Sequence, residues 1–180
     1  MNCRKLSALT VALLFMGIVA GRAESKAPNA ALDKETQSAI AVFKKTDSEL
    51  EKLFKKSAGY EVFPTVAKGA IGIGGAHGAG QVYEKGKLIG TASLTQVTIG
   101  FQLGGQGYSE VIFFENKEAL DNFKGSKFAL SAQVSAVAAA EGASANAKYD
   151  QGVLVFTIAK TGLMYEASVG GQKFKFTPLK

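Results

Sequence analysis

Twelve glycines fall between Gly69 and Gly107, and no other feature of this 180-residue chain restricts its fold as strongly. Flat, regular strands do not carry so many, because glycine inside a strand marks a bulge, a corner or a close backbone approach. The expected product is a strongly bent sheet. The glycines follow no three-residue period and the chain has three prolines, which excludes a collagen-like rod. With 20% charged and 47% hydrophobic residues the composition is that of a globular protein, and the length suits one domain with a genuine core.

A glycine-rich run also invites a phosphate-cradle reading, and spacing tests that reading. In Gly72-Ile73-Gly74-Gly75-Ala76-His77-Gly78 the dinucleotide-binding pattern requires glycine where His77 stands. A phosphate loop ending at Gly86-Lys87 would need glycine in place of Gln81 and Ser or Thr in place of Leu88. Both tests fail, so the glycines serve backbone geometry.

The first residues read as an export signal. Arg4 and Lys5 precede the uncharged stretch Leu6 to Ala20, and Gly21-Arg22-Ala23 supplies a small-residue cleavage site. The expectation is a secretory signal peptide over residues 1–23, a linker over 24–31 and a single domain over 32–180. An uncleaved anchor is the rival, but the apolar stretch is shorter than the ~20 residues of a membrane-spanning helix. Cys3 precedes that stretch and is not placed for lipidation. Cleavage removes Arg4, Lys5 and Arg22 with no acid, so the formal charge falls from +6 to +3 and all 18 remaining cations are lysine. Without arginine, bidentate recognition of bases and phosphates is weakened, which disfavours a nucleic-acid partner. The expected location is periplasmic or secreted, peripheral to a membrane.

Residues 32–57 have helical periodicity. Lys44, Lys45, Lys52, Lys55 and Lys56 share one side, and Ala39, Ile40, Phe43, Leu50, Leu53 and Phe54 the other. Asp47 lands among the apolar positions, and Thr46 followed by Glu49 has capping-box spacing, so the pattern predicts a break into two helices near Thr46. Gly59 stops the second helix. Residues 60–180 are mainly β, with strand character from Lys68 onward. Lys85-Gly86 joins two strands as a hairpin, Tyr108–Glu115 is a strand, and Asn116–Phe123 is a short helix capped by Asn116. Phe128 to Ala138 alternate apolar and polar, favouring a strand over an alanine-rich helix. Val153–Lys160 is apolar on both faces, as in a central buried strand. Strands at Leu163–Val169 and Lys173–Thr177 follow. The fold class is α+β: N-terminal amphipathic helices packed on a glycine-rich, strongly bent, mainly antiparallel sheet or half-closed barrel.

Catalytic chemistry finds little support. His77 is the sole histidine and no serine sits in a nucleophile-elbow context. Zinc lacks a ligand set and no calcium loop of the Asp-x-Asp-x-Asp-Gly type occurs, so neither metal nor cofactor is expected. The carboxylates Glu49 and Glu51 lie in a lysine-rich helical region, where solvated surface explains them. An enzyme would need an acid or base cluster assembled by folding.

One segment carries a positive signal. Gly59-Tyr60-Glu61-Val62-Phe63-Pro64-Thr65-Val66-Ala67-Lys68-Gly69 passes from a helix through an aromatic–proline turn into Gly72, Gly74, Gly75, Gly78 and Gly80. This resembles the opening of the SYLF domain, a lipid-binding family of bacteria and eukaryotic endocytic proteins. Gly100-Phe101-Gln102-Leu103-Gly104-Gly105-Gln106 is similar to the family's glycine–glutamine segment, Tyr108–Phe114 and Lys117–Phe123 to the strand and helix after it, and Lys160–Gly171 to its closing segment. The chain has no tryptophan, whereas the family often carries one in the segment occupied by Leu88–Thr95. The resemblance implies lipid binding, and the missing catalytic motifs argue against an enzyme. Anionic phospholipid is the expected partner, held by Lys44, Lys45, Lys52, Lys55, Lys56 and Lys68. Tyr60 and Phe63, with Val66, or an acyl chain under the sheet, would add the apolar contribution that stable attachment needs. Burial as core anchors is the competing role for Phe63 and Val66. The alternative function is a structural or interaction module of the cell envelope, using the apolar helix face to bind a protein partner.

Overall fold

The computed structural model describes residues 29–71, 73–99, 104–125, 128–130, 134–161 and 169–179. The leader expected over residues 1–23, most of the linker, and most of the strand expected at Leu163–Val169 lie outside them. Three helices and seven strands are present among the described residues: α1 (Ala30–Thr46), α2 (Leu50–Lys56), β1 (Gly59–Ile71), β2 (Ile73–Glu84), β3 (Lys87–Ile99), β4 (Gly104–Phe114), α3 (Lys117–Lys124), β5 (Val137–Ala138), β6 (Val153–Thr161) and β7 (Lys173–Pro178). The strands form one sheet in the order β5-β6-β4-β1-β2-β3-β7, antiparallel except for the β5–β6 pair. The sheet is bent but not closed, and the α+β expectation holds.

Helix α1 starts at Asn29, whose side chain accepts a hydrogen bond from the Ala31 N–H. It buries Thr36, Ala39, Ile40 and Phe43, a stripe at helical spacing. The break comes at the expected place through a different residue. Asp47 is fully buried, and its carboxylate accepts from the backbone N–H groups of Glu49 at 3.1 Å and Ser144 at 2.8 Å. Burial pushes this carboxyl up, but the hydrogen bonds from Ser144, Glu49 and Gly142 outweigh it and hold the group below its ordinary value. An acid within the apolar stripe is thereby the device that ends α1, where a Thr46–Glu49 box was expected.

Strand structure begins at Gly59, earlier than the Lys68 expected, and the aromatic–proline segment is a strand, not a turn. Pro64 has no N–H to give a ladder, and the register of β1 shifts between Phe63 and Val66 on one side and between Val62 and Thr65 on the other. Its carbonyl accepts from Ser109 Oγ at 2.8 Å. Lys85 (φ 50°) and Gly86 (φ 76°) make the expected hairpin turn between β2 and β3. Asn116 caps α3 through the Ala119 N–H. Of the expected strand over Phe128–Ala138, residues 131–133 lie outside the described residues; among the rest, β5 and a bridge between Ala129 and Lys173 are present, with Leu130, Val134 and Ala136 buried and Ala129 and Ser135 exposed. The segment expected as central, β6, lies next to the edge; it is buried on both faces because both faces of the sheet are covered.

Each face has its own core. Against α1 and α2 lie Tyr60, Val62, Tyr83, Val111, Phe113, Leu154 and Phe156. Phe54 meets Tyr60 and Phe113 edge-on, each at 4.9 Å between ring centroids, and Tyr60 stacks on Tyr83. The opposite, concave face holds Phe63, Val66, Leu94, Ile112, Phe114 and Phe174, covered by α3. A methyl group on Gly80 would come within 2.7 Å of the Phe63 ring, so this glycine is the bed on which that ring lies. Gly90 serves Phe176 in the same way. Phe63 on β1 reaches Phe174 on β7, three strands away, with ring centroids 5.8 Å apart. Strands are about 4.8 Å apart, so rings from β1 and β7 meet because the sheet curls over glycine.

Candidate functional site

The lysines expected to meet lipid are divided by the fold. Lys45, Lys52, Lys55 and Lys56 are exposed on α1 and α2, and half-buried Lys44 lies over the Phe54 ring at 5.2 Å. Two of the exposed cations are locally compensated: Lys52 pairs with Glu49, and Lys55 with Glu51 at 2.7 Å. The Lys55 hydrogen bond and charge hold Glu51 below its ordinary value. Over Ala30–Lys56 six lysines meet five acids (Asp33, Glu35, Asp47, Glu49 and Glu51), a net surplus of one positive charge, which rises to two from Lys44 onward.

Lys68, Tyr60 and Phe63 do not join that face. On β1, Lys68 follows Val66 by two residues and shares its side, the concave face, where it is 8% exposed and burial pushes its amine down. Tyr60 is enclosed between Phe54, Tyr83 and Phe113, and Phe63 and Val66 are fully buried. These three side chains are core anchors. The apolar stripes of α1 and α2 are likewise covered, by the sheet.

A groove of about 530 Å³ lies beside α1. Its helix wall carries Ala31, Lys34, Glu35, Ser38 and Val42; the opposite wall is the Ile158–Lys160 end of β6, with Ser109 of β4. Val42 is 49% exposed, one of two large apolar side chains among the described residues that face solvent this openly. Lys45 follows Val42 by three residues and Ser38 by seven, so it prolongs the groove wall. Lys160 stands across the groove, its ammonium on Thr65 Oγ1 at 2.9 Å. The groove is therefore lined largely by apolar atoms and bordered by Lys34 and Lys160, with Glu35 as the acid among them, and Lys45 follows one turn beyond Val42. Helix periodicity alone could not show it, because half of it belongs to a strand distant in sequence.

Folding also brings together two acids that the sequence pattern did not single out. Glu61 on β1 and Glu110 on β4 are both fully buried on the concave face. Burial pushes Glu110 up to about 8, against a hydrogen bond from Gln172; burial and the Glu110 charge raise Glu61 well above its ordinary value. The available signal was an acid at alternate positions inside two otherwise apolar strands, Tyr60–Phe63 and Tyr108–Phe114. The pair lies in a sealed core and not in a cleft. His77 is exposed on β2, and no helix among the described residues is long and apolar enough to cross a membrane.

The molecule is thus a small α+β domain whose outward features are a lysine-bearing helix pair and a groove, with its paired acids inside. Residues 95–177 match the Ysc84 family model, described as "Las17-binding protein actin regulator". Over 123 residues, 68% of this chain, it is 31% identical to Beta cell expansion factor A of Aeromonas veronii, and the alignment covers 47% of that protein. The chain therefore spans about half the length of the curated relative it matches. It belongs to the SYLF (Ysc84) family, a family of lipid-binding and actin-regulating domains not known as enzymes.

Proposed function

We propose that this domain binds anionic phospholipid peripherally, without catalysis, through the lysines of α1 and α2 and the groove beside α1. The observation that carries the reading is the exposed Val42 in the groove wall, one helical turn before Lys45 of the lysine face. Each lysine near an anionic surface contributes about 1 kcal/mol. The small surplus on these helices therefore gives only weak, salt-sensitive attraction. A second contribution is required for residence, and Val42 with the groove floor supplies it in place of Tyr60 and Phe63. Export through the leader would bring the domain to an envelope membrane in the periplasm, or to a membrane outside the cell. A protein partner of the envelope is the remaining alternative.

Co-sedimentation with vesicles tests the reading. Vesicles of phosphatidylglycerol and phosphatidylcholine should retain the protein at low salt and release it at high salt, while pure phosphatidylcholine should not retain it. Val42→Asp should weaken retention at low salt without unfolding the domain. Absence of retention on the anionic vesicles at low salt would refute the proposal.

A further inference from the structure

The groove beside α1 carries positive charge on both of its walls. Along the helix, Ala31, Lys34, Glu35, Ser38 and Val42 follow one another at spacings of three or four, on one side of α1. Ala31 and Val42 are eleven positions apart, so at 1.5 Å per residue this wall is about 16 Å long. Ile158, Ala159 and Lys160 of β6 face it. Ile158 is half-buried against the helix-side core, whereas Ala31, Val42 and Ala159 are exposed. A volume of about 530 Å³ is that of a small-molecule site. Lys34 stands on the helix wall and Lys160 on the strand wall, with Glu35 as the acid of the lining, which leaves one positive charge over. None of the three is ion-paired among the described residues. The Lys160 ammonium donates to Thr65 Oγ1 at 2.9 Å, a neutral partner that leaves its charge uncompensated.

We propose that the groove holds one free medium-chain fatty acid, its acyl chain laid along α1 against Val42 and Ile158 and its carboxylate facing the lysines of the two walls. The inference rests on the reading of this groove as a lipid-contacting surface, and it names a monomeric ligand for the groove apart from the membrane. A carboxylate carries one negative charge, which matches the surplus of the lining. Lysine meets it as a solvated point charge and needs no planar fork, so the lack of arginine on these walls is no obstacle. The chain would take from water the side chain of Val42, which is 49% exposed. A cationic amphiphile with the same chain would gain that apolar contact and be repelled by Lys34 and Lys160. Lys52, Lys55 and Lys56 of α2 lie outside the lining, so the site for the monomer and the lysine face can be altered separately.

The test is isothermal titration calorimetry of the full chain at pH 7.5 and low salt, with sodium dodecanoate kept below its micelle threshold. The expected result is saturable binding of one dodecanoate per chain. Octanoate should bind roughly tenfold more weakly or worse, because its shorter chain buries fewer methylenes, and dodecyltrimethylammonium should not bind. K34Q/K160Q should weaken dodecanoate by about fivefold with Tm unchanged and most retention on phosphatidylglycerol vesicles preserved. Ser38→Trp, which fills the groove from an exposed helical position, should abolish dodecanoate binding; should it fail to fold, K34Q/K160Q decides. Equal affinity for dodecanoate and dodecyltrimethylammonium, or dodecanoate binding undiminished in K34Q/K160Q, would overturn the inference. No dodecanoate binding by a protein that anionic vesicles still retain would remove the fatty acid and leave the peripheral reading standing, whereas loss of both would remove the two together.

Discussion

The two faces of the sheet handle buried polarity in opposite ways. On the helix side the buried charge is satisfied and only neutral groups, the Thr36 hydroxyl and the Gln81 amide nitrogen, go unmet: Asp47 takes two backbone N–H groups, and the Tyr83 hydroxyl donates to Gln81 while accepting from Gln37. On the concave side, aromatic rings lie on glycine, and two carboxylates share one face with three of their four oxygens unmet. The helix side leaves no carboxylate oxygen unmet. The concave side stores electrostatic cost in the middle of its packing, and such cost persists in a fold when something offsets it.

The sharpest break between the faces should come from Phe63. Its ring is the centre of the concave core and lies on Gly80. Phe63→Ala should lower stability by about 3–5 kcal/mol in urea denaturation. A side chain serving as a surface anchor for lipid would lose little stability on truncation, so a change below about 1 kcal/mol would return Phe63 to the membrane reading.

Next in size is the pH response of the concave face. Glu61 and Glu110 have folded-state values above their unfolded ones, and for Glu110 the folded value is about 8. A group raised in this way contributes its full stability below the unfolded value, near 4.5, and loses it as pH rises through 8. Stability from urea denaturation should therefore fall between pH 5 and pH 8.5 by an amount on the order of a few kcal/mol. Glu110→Gln should flatten that slope. Lys68, whose amine is pushed down, is a buried cation on this face and is present equally in both proteins. A flat profile in the parent would mean that the acids are more hydrated than their burial indicates.

Asp47→Ala should cost about 2 kcal/mol, because it leaves the N–H groups of Glu49 and Ser144 without an acceptor. Unlike the concave acids, Asp47 is held below its ordinary value, so its contribution is present at neutral pH and is lost only as pH falls below the usual carboxylate range. The two faces should thus lose stability at opposite ends of the pH scale, one through an acid that is satisfied and the other through acids that are not.

These contrasts mark what could be read from the chain beforehand. Local chemistry was legible: the break after Thr46, the Lys85-Gly86 hairpin, the Asn116 cap and the bending glycines each follow from a few adjacent residues. The start of β1 was hidden because Pro64 suggests a turn, whereas the ladder accommodates it as a bulge. The lysine face was visible as a helical stripe, but the groove was not, since its far wall is Ile158–Lys160. Glu61 was legible as an exception within a strand. Its partner across the ladder depends on which strand lies beside β1, and that pairing is a property of the whole sheet.

The smallest effect on stability is expected where the effect on binding is largest. Lys45 and Lys56 are exposed and form no ion pair among the described residues, whereas Lys52 and Lys55 are held by Glu49 and Glu51. Exposed substitutions of this kind change stability by about 0.5 kcal/mol or less. Reversing both charges in K45E/K56E should leave Tm nearly unchanged and abolish retention on anionic vesicles at low salt. Replacing the paired cations in K52Q/K55Q should weaken retention much less, because Glu49 and Glu51 already offset them. If the two double variants lose binding equally, the surface is acting by total charge and the position of Lys45 beside the groove has no special role. If K45E/K56E alone releases the vesicles, binding follows the groove wall, and the contrast between a closed core and an open, charged margin extends to the function of the helix side.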